Sequence, residues 1–186
     1  MALRNAKATY QIKVTLRGVK PPIWRRLHVE ADMSLSQLHE VLQVAMGWHG
    51  YHLHEFECGG ERFGPPDYAE NFGLPPVRSE RTTRLSSVLS RAGAKALYSY
   101  DFGDGWEHSI VLEKVLEPEP GRAHPVCVAG KRNCPPEDCG GPYGYYMKLE
   151  ARNDPGHPEH GETLEWMSED FDPEAFSIEA VNRRLA

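Results

Sequence analysis

No stretch of this chain is apolar for long enough to cross a bilayer as a helix, which takes about 20 residues. The first twenty residues also carry no apolar run of the kind a secretory signal has. The expectation is a cytoplasmic protein with no membrane partner. Cysteine is scarce, four in 186 residues, and in a reducing compartment these are free thiols or metal ligands rather than disulfides. Positive charge is in deficit, with 21 Lys and Arg against 27 Asp and Glu and a net charge of −6. Affinity for a phosphate backbone comes from counterions released by Lys and Arg, so nucleic acid is disfavoured as the main partner. Catalytic signatures are missing too: the sequence has no phosphate-binding loop, no dinucleotide fingerprint and no nucleophile elbow. Asp101-Phe102-Gly103 matches the kinase metal-binding triplet in letters alone, since no Gly-rich or His-Arg-Asp loop accompanies it. There is no internal repeat.

What is present is globular. An apolar content of 40% with 26% charged residues excludes disorder as the default and gives enough apolar surface for an ordinary core. The reading is a single domain over 1–186, with a flexible N-terminus at 1–8 and an acidic helical extension at 151–186. The charge is unevenly placed: residues 1–35 hold seven Lys or Arg and two acids, residues 151–180 one Arg and nine acids. The acidic segment is expected to pack near the basic N-terminal strands.

Thr9 to Val19 alternates Tyr10, Ile12, Val14 and Leu16 with polar neighbours and predicts a half-buried strand. Pro21-Pro22 interrupts it, and Ile23 to Val29 predicts its antiparallel partner. Ser34 with Gln37 forms a capping box for a helix with an apolar stripe from Leu35 to Met46, ended by Gly47. Tyr51 to Cys58 predicts a strand turned by Gly59-Gly60 into Glu61 to Phe63. Residues 64–80 form a loop suited to a lid, and a short helix is expected over Ser86 to Arg91. Residues 97–102 and 106–112 predict a hairpin whose second strand runs to about Glu117, with Asp104-Gly105 as a two-residue turn. That register sets Asp101 opposite His108 and Ser99 opposite Ile110. Residues 118–142 are too rich in Pro and Gly for a long regular element. Helices are expected over 142–152, 163–168 and 177–185, with Asp172-Pro173-Glu174 as a cap ahead of the last. The fold class is α+β: a mainly antiparallel sheet, one early helix packed on it and a helical C-terminal segment.

Two segments concentrate chemistry. Tyr100-Asp101-Phe102-Gly103-Asp104-Gly105-Trp106-Glu107-His108 gathers carboxylates, an indole and an imidazole around one turn. Pro135-Pro136-Glu137-Asp138-Cys139-Gly140-Gly141 is a stiff loop that presents Glu137 and Asp138, either to a site or to cap the helix that follows. The predicted cleft residues are therefore Tyr100, Asp101, Asp104, Trp106, His108, Glu137 and Asp138. On an extended strand His52 and His54 leave the same face about 7 Å apart, so His52, His54, His108 and Asp104 form the candidate set for a divalent transition metal: zinc, nickel, iron or manganese. The plainer alternative has Asp101 accepting a hydrogen bond from His108 and fixing its tautomer. Cys127, Cys134 and Cys139 are spaced too widely for a structural zinc site and read as packing thiols.

Taken in order, Pro22-Ile23-Trp24-Arg25-Arg26, Gly47-Trp48 with His52-Leu53-His54-Glu55-Phe56, the Tyr100–His108 segment and the Pro135–Gly141 loop with Gly144-Tyr145 resemble the plasmid pRiA4b ORF-3-like family. The resemblance spans about residues 9 to 185. It implies an α+β domain whose motifs converge on a cleft, and an association with mobile elements, where members carry a resolvase-like label. A serine recombinase needs a nucleophilic serine, an arginine cluster and a basic tail; this tail is acidic. The leading expectation is a binding or regulatory module with a His/Asp/Glu cleft for a metal ion or small polar ligand, or for a protein partner. The alternatives are a metal-dependent hydrolase of phosphodiesters with Asp104 or Glu137 as general base, and a DNA-associated accessory protein using Arg17, Lys20, Arg25 and Arg26.

Overall fold

The computed structural model describes residues 8–65, 67, 75–117, 124–168 and 170–186. Eight strands among them form one sheet: β1 (Thr9–Leu16), β2 (Trp24–Glu30), β3 (His54–Cys58), β4 (Glu61–Gly64), β5 (Arg78–Ser79), β6 (Lys95–Tyr100), β7 (Trp106–Leu116) and β8 (Val126–Lys131). Their order is β5-β4-β3-β6-β7-β1-β2-β8. All neighbours are antiparallel except the short β4–β5 pair. With helices α1 (Leu35–Met46), α2 (Leu85–Val88), α3 (Gly141–Asn153), α4 (His160–Met167) and α5 (Ile178–Leu185), the fold is α+β. Of the expected lid at 64–80, residues 66 and 68–74 lie outside the described residues and Arg78–Ser79 form β5 instead of loop; of the N-terminal segment 1–8, only residue 8 is described.

Period-two alternation builds the sheet. Tyr10, Ile12, Val14 and Leu16 of β1 are buried with Trp106, His108, Ile110 and Leu112 of β7, while on the other face Arg26 makes a two-pronged ion pair with Glu113 at 2.6 and 2.9 Å. Each fully buried aliphatic side chain contributes roughly 1.5–3 kcal/mol. The stripe of α1 closes this face, and the helix is bounded as its sequence predicts. Ser34 Oγ accepts from Gln37 N at 3.1 Å, Gln37 Oε1 accepts from Ser34 N at 2.9 Å, and Gly47 ends the helix at φ 104°. The acidic extension packs on the far edge of the sheet. Asn182 clamps the Cys127 backbone of β8 with its side-chain amide, Oδ1 accepting from Cys127 N at 2.7 Å and Nδ2 donating to the Cys127 carbonyl at 2.9 Å, and Glu174 pairs with Arg132 at 2.6 Å.

The central hairpin differs from its sequence reading. Tyr100 pairs with Trp106, Ser99 with Glu107 and Tyr98 with His108, so Asp101 does not face His108. The turn runs over residues 101–105. Asp101 enters it with a left-handed backbone, φ 55°; its carbonyl accepts from Gly105 N at 2.6 Å, and its Oδ1 accepts from Gly103 N at 2.9 Å and Asp104 N at 3.3 Å. This side-chain-to-backbone turn satisfies more donors than a two-residue turn at Asp104-Gly105 would. The slip is odd-numbered, so it exchanges faces: Tyr98 and Tyr100 enter the core where Ser99 and Asp101 were expected.

Smaller departures share that logic. β8 forms within the Pro/Gly-rich stretch because an edge strand tolerates Pro125 at its start, and a bulge between Arg26 and Leu27 keeps its register with β2. β3 begins at His54 rather than at Tyr51, which puts His52 in the preceding loop. The cap of α5 is Ser177, whose Oγ accepts from Ala180 N at 3.1 Å. Asp172-Pro173-Glu174 makes a turn upstream of it, closed by Glu174 N donating to Asp172 Oδ1 at 2.8 Å.

Candidate metal centre

Three segments distant in sequence meet at the open end of the hairpin. His52 arrives from the loop between α1 and β3, Asp101 from the hairpin turn, and Glu137 and Asp138 from the loop ahead of α3. His52 Nε2 lies 3.1 Å from Asp138 Oδ1, 3.7 Å from Asp101 Oδ2 and 3.8 Å from Glu137 Oε2. One ligand atom each from His52, Asp101 and Asp138 falls within 4.8 Å of the others. The Nε2 atom is buried, yet no hydrogen bond of acceptable geometry satisfies it. Among the described residues no Lys or Arg pairs with Asp101, Glu137 or Asp138. The site is thus a concentration of negative charge around one imidazole.

Local backbone chemistry fixes each carboxylate. Asp101 gives Oδ1 to its own turn, which leaves Oδ2 directed at His52. Asp138 also has a left-handed backbone, φ 57°, a conformation Asp tolerates better than most residues. Strained backbone of this kind gathers at functional positions. The Tyr100 hydroxyl accepts from Tyr51 N at 3.1 Å and donates to the Glu137 carboxylate, 3.1 Å from one oxygen and 3.2 Å from the other, and His49 N donates to Glu137 Oε1 at 2.8 Å. Burial, and then the neighbouring Glu137 charge, raise the Tyr100 phenol well above its ordinary range, so it is a firm hydrogen donor at neutral pH.

The two loops are locked together through glycine. Gly141 has φ 68°, and a Cβ there would collide with the Asp104 carbonyl oxygen, while Gly140 N donates to Asp104 Oδ2 at 3.1 Å. A Cβ on Gly144 would collide with the Cys139 carbonyl. Asp104 is therefore a link between the hairpin and the start of α3.

A profile of the plasmid pRiA4b ORF-3-like protein family matches residues 8–180. The chain belongs to that family. It is 45% identical over 176 residues to the uncharacterized protein y4hQ of Sinorhizobium fredii, covering 94% of this chain and 89% of that one. It is also similar to the crystal structure of the protein of unknown function MM3350 from Methanosarcina mazei Go1. That match has a TM-score of 0.83 and 38% identity, and covers 93% of this chain and 97% of the other.

Of the residues that the sequence singled out in this family member, His52, Tyr100, Asp101, Glu137 and Asp138 come together, with Asp104 beside them. His54 and His108 lie elsewhere. His54 Nε2 is 2.7 Å from Glu80 Oε2, both buried, and its ring stacks on His39 at 3.5 Å. His108 is fully buried, its Nδ1 is 3.2 Å from the Tyr98 carbonyl, and burial holds its pKa down at about 4. Trp106 is also fully buried, 5.9 Å from Trp48 in the core, and forms no exposed wall. The period-two argument for His52 and His54 fails because only His54 is in the strand. Asp101 and Asp138 were weighed as cleft residues but not as ligands; their adjacency to Gly-containing turns is the signal that could have promoted them. Cys134 and Cys139 are buried thiols, each pushed up to about 12 by burial. Of the basic residues considered for DNA, Arg17 pairs with Glu107 at 2.7 Å, Arg26 pairs with Glu113, and Arg25 is buried.

Proposed function

We propose that this protein is a binding module whose centre, formed by His52, Asp101 and Asp138, takes up a divalent transition metal. The observation that carries the reading is the convergence of one imidazole nitrogen and two carboxylate oxygens within 4.8 Å, with no Lys or Arg among the described residues paired to either carboxylate. Metal–nitrogen and metal–oxygen bonds of about 2.0–2.2 Å bring ligand atoms to roughly 3–3.5 Å apart. The Asp138 side chain, 68% exposed, is free to swing by that amount. One nitrogen with carboxylate oxygens suits zinc, manganese or iron. Glu137, held by Tyr100 and His49, fixes the charge beside the ion.

Protein purified without a histidine tag should carry or bind one equivalent of zinc or manganese, read by elemental analysis and titration calorimetry. Asp138→Asn and His52→Ala should each weaken binding at least tenfold. A wild-type protein that binds neither metal at millimolar concentration sinks the proposal.

A second reading, a metal-dependent hydrolase, is favoured by the placement of Glu137. Its carboxylate is anchored 3.8 Å from His52 Nε2 and is within reach of a water that it could deprotonate as general base. Metal-loaded protein would then hydrolyse a simple phosphodiester such as bis(4-nitrophenyl) phosphate, and Glu137→Gln would abolish turnover even at a metal concentration that saturates the site. Absence of turnover in the metal-loaded wild type rejects that reading.

A further inference from the structure

Beside the metal centre, a groove of 830 Å³ opens between the 133–138 loop, the end of α1 and the C-terminal segment. That size lies within the range of about 300–1,000 Å³ typical of small-molecule sites. Phe171, Phe176, Met167 and Trp48 give it apolar walls, Glu137 and Asp138 form one end, and two guanidiniums, Arg25 and Arg184, complete it.

Arg25 is the unusual member. It is only 2% exposed, its Nε donates to the Ala45 carbonyl at 2.9 Å, and its Nη1 donates to the carbonyls of Trp24 at 2.9 Å and Lys131 at 3.0 Å. No described residue accepts from Nη2, and no described carboxylate pairs with the group. The nearest candidates for a counter-charge are thiols, and they do not serve: burial pushes Cys134 up to about 12 and raises Cys127 too, so both are protonated at neutral pH. The second cation aggravates the imbalance. Arg184 Nη2 donates to the Val44 carbonyl at 3.0 Å and has no described carboxylate partner, and after burial its positive charge is among the influences that disfavour a charged Arg25. The Phe176 ring covers the Arg25 guanidinium at 4.4 Å, seated where a Cβ on Gly130 would collide with it. Burial disfavours the charge of a cation that has no anion beside it, and an incoming anion would offset that penalty.

We propose that this groove binds a small organic acid, its carboxylate between Arg25 and Arg184 and its apolar body against Phe171, Phe176 and Trp48. A planar carboxylate matches the guanidinium fork, and the Phe176 ring shields the Arg25 side of the pair. The site adjoins the metal centre but does not depend on an ion there.

Calorimetric titration of metal-free protein with 3-phenylpropionate, and with 3-phenylpropan-1-ol as its uncharged counterpart, tests this. The acid should bind at one equivalent and at least tenfold more tightly than the alcohol. Arg184→Ala, a change at an exposed residue, should weaken the acid at least fivefold and leave the alcohol and the melting temperature unchanged. His52→Ala, which disables the metal centre at a residue that does not line the groove, should leave acid affinity within twofold, so failure of the metal reading and failure of this one are separate results. The proposal is overturned if the acid shows no saturable binding, if acid and alcohol bind alike, or if Arg184→Ala has no effect on a folded protein.

Discussion

Gly141 and Asp104 meet backbone to backbone: a side chain on Gly141 would run into the Asp104 carbonyl oxygen, and the adjacent Gly140 N–H holds the Asp104 carboxylate at 3.1 Å. This contact joins the hairpin turn to the loop before α3 and so places Asp101 against Asp138. Gly141→Ala brings both the collision and a side chain at φ 68°. We expect a loss of about 2–4 kcal/mol in denaturant unfolding and at least tenfold weaker metal binding. Wild-type metal affinity in this variant would show that the two loops are not coupled.

Tyr100→Phe removes the hydroxyl that donates to Glu137 and accepts from Tyr51 N. Stability should fall by about 1–2 kcal/mol and metal affinity by about tenfold, as for other partners that orient a metal site. Unchanged metal affinity on a destabilised protein would place Glu137 outside the centre.

His54→Ala separates the two members of the His-x-His pair. It leaves Glu80 buried without its 2.7 Å partner and strips the stacked face of His39, so unfolding should become easier by about 3 kcal/mol. Metal stoichiometry should not change, because His54 is not in the centre. A lost metal equivalent in a folded His54→Ala protein would contradict the geometry.

Acid should destabilise the fold through His39, which is half-buried, and His108, which is fully buried. Burial, and then the charge of His54, lower His39 to about 3, and burial lowers His108 to about 4. In the unfolded chain both titrate near about 6.5, so between that value and their folded values the unfolded state binds more protons. Stability is therefore complete above about pH 6.5 and falls with acidification, by up to about 1.4 kcal/mol per pH unit for each group. Urea midpoints measured from pH 7 to 4 read this directly, and His108→Gln should flatten the curve if it stays folded. A midpoint that is constant over that range would contradict a neutral state for both rings in the fold.

Local signals were legible wherever a short stretch satisfies its own requirements. The capping box at Ser34, the stop at Gly47, the alternation of β1 and the Gly59-Gly60 turn, where Cys58 pairs with Glu61, depend on neighbours in sequence. The hairpin register did not follow from sequence, because the Asp104-Gly105 preference competes with the carboxylate of Asp101, three residues earlier, for the same backbone donors. A slip of odd parity then decides which side chains are core, and Tyr98 and Tyr100 gained the places expected for Ser99 and Asp101.

The sequence by itself determined the family and the fold class, and it pointed to the loops that meet around His52, since these rest on ordered motifs and on the period of apolar residues. Only the tertiary structure decided that His52 rather than His54 joins the carboxylate cluster, that His108 and Trp106 are core, and that Asp101 and Asp138 face one imidazole. The physical reason is that ligand geometry depends on where three loops distant in sequence are pressed together. A close backbone approach at Gly141 and one side-chain-capped turn at Asp101 fix that placement.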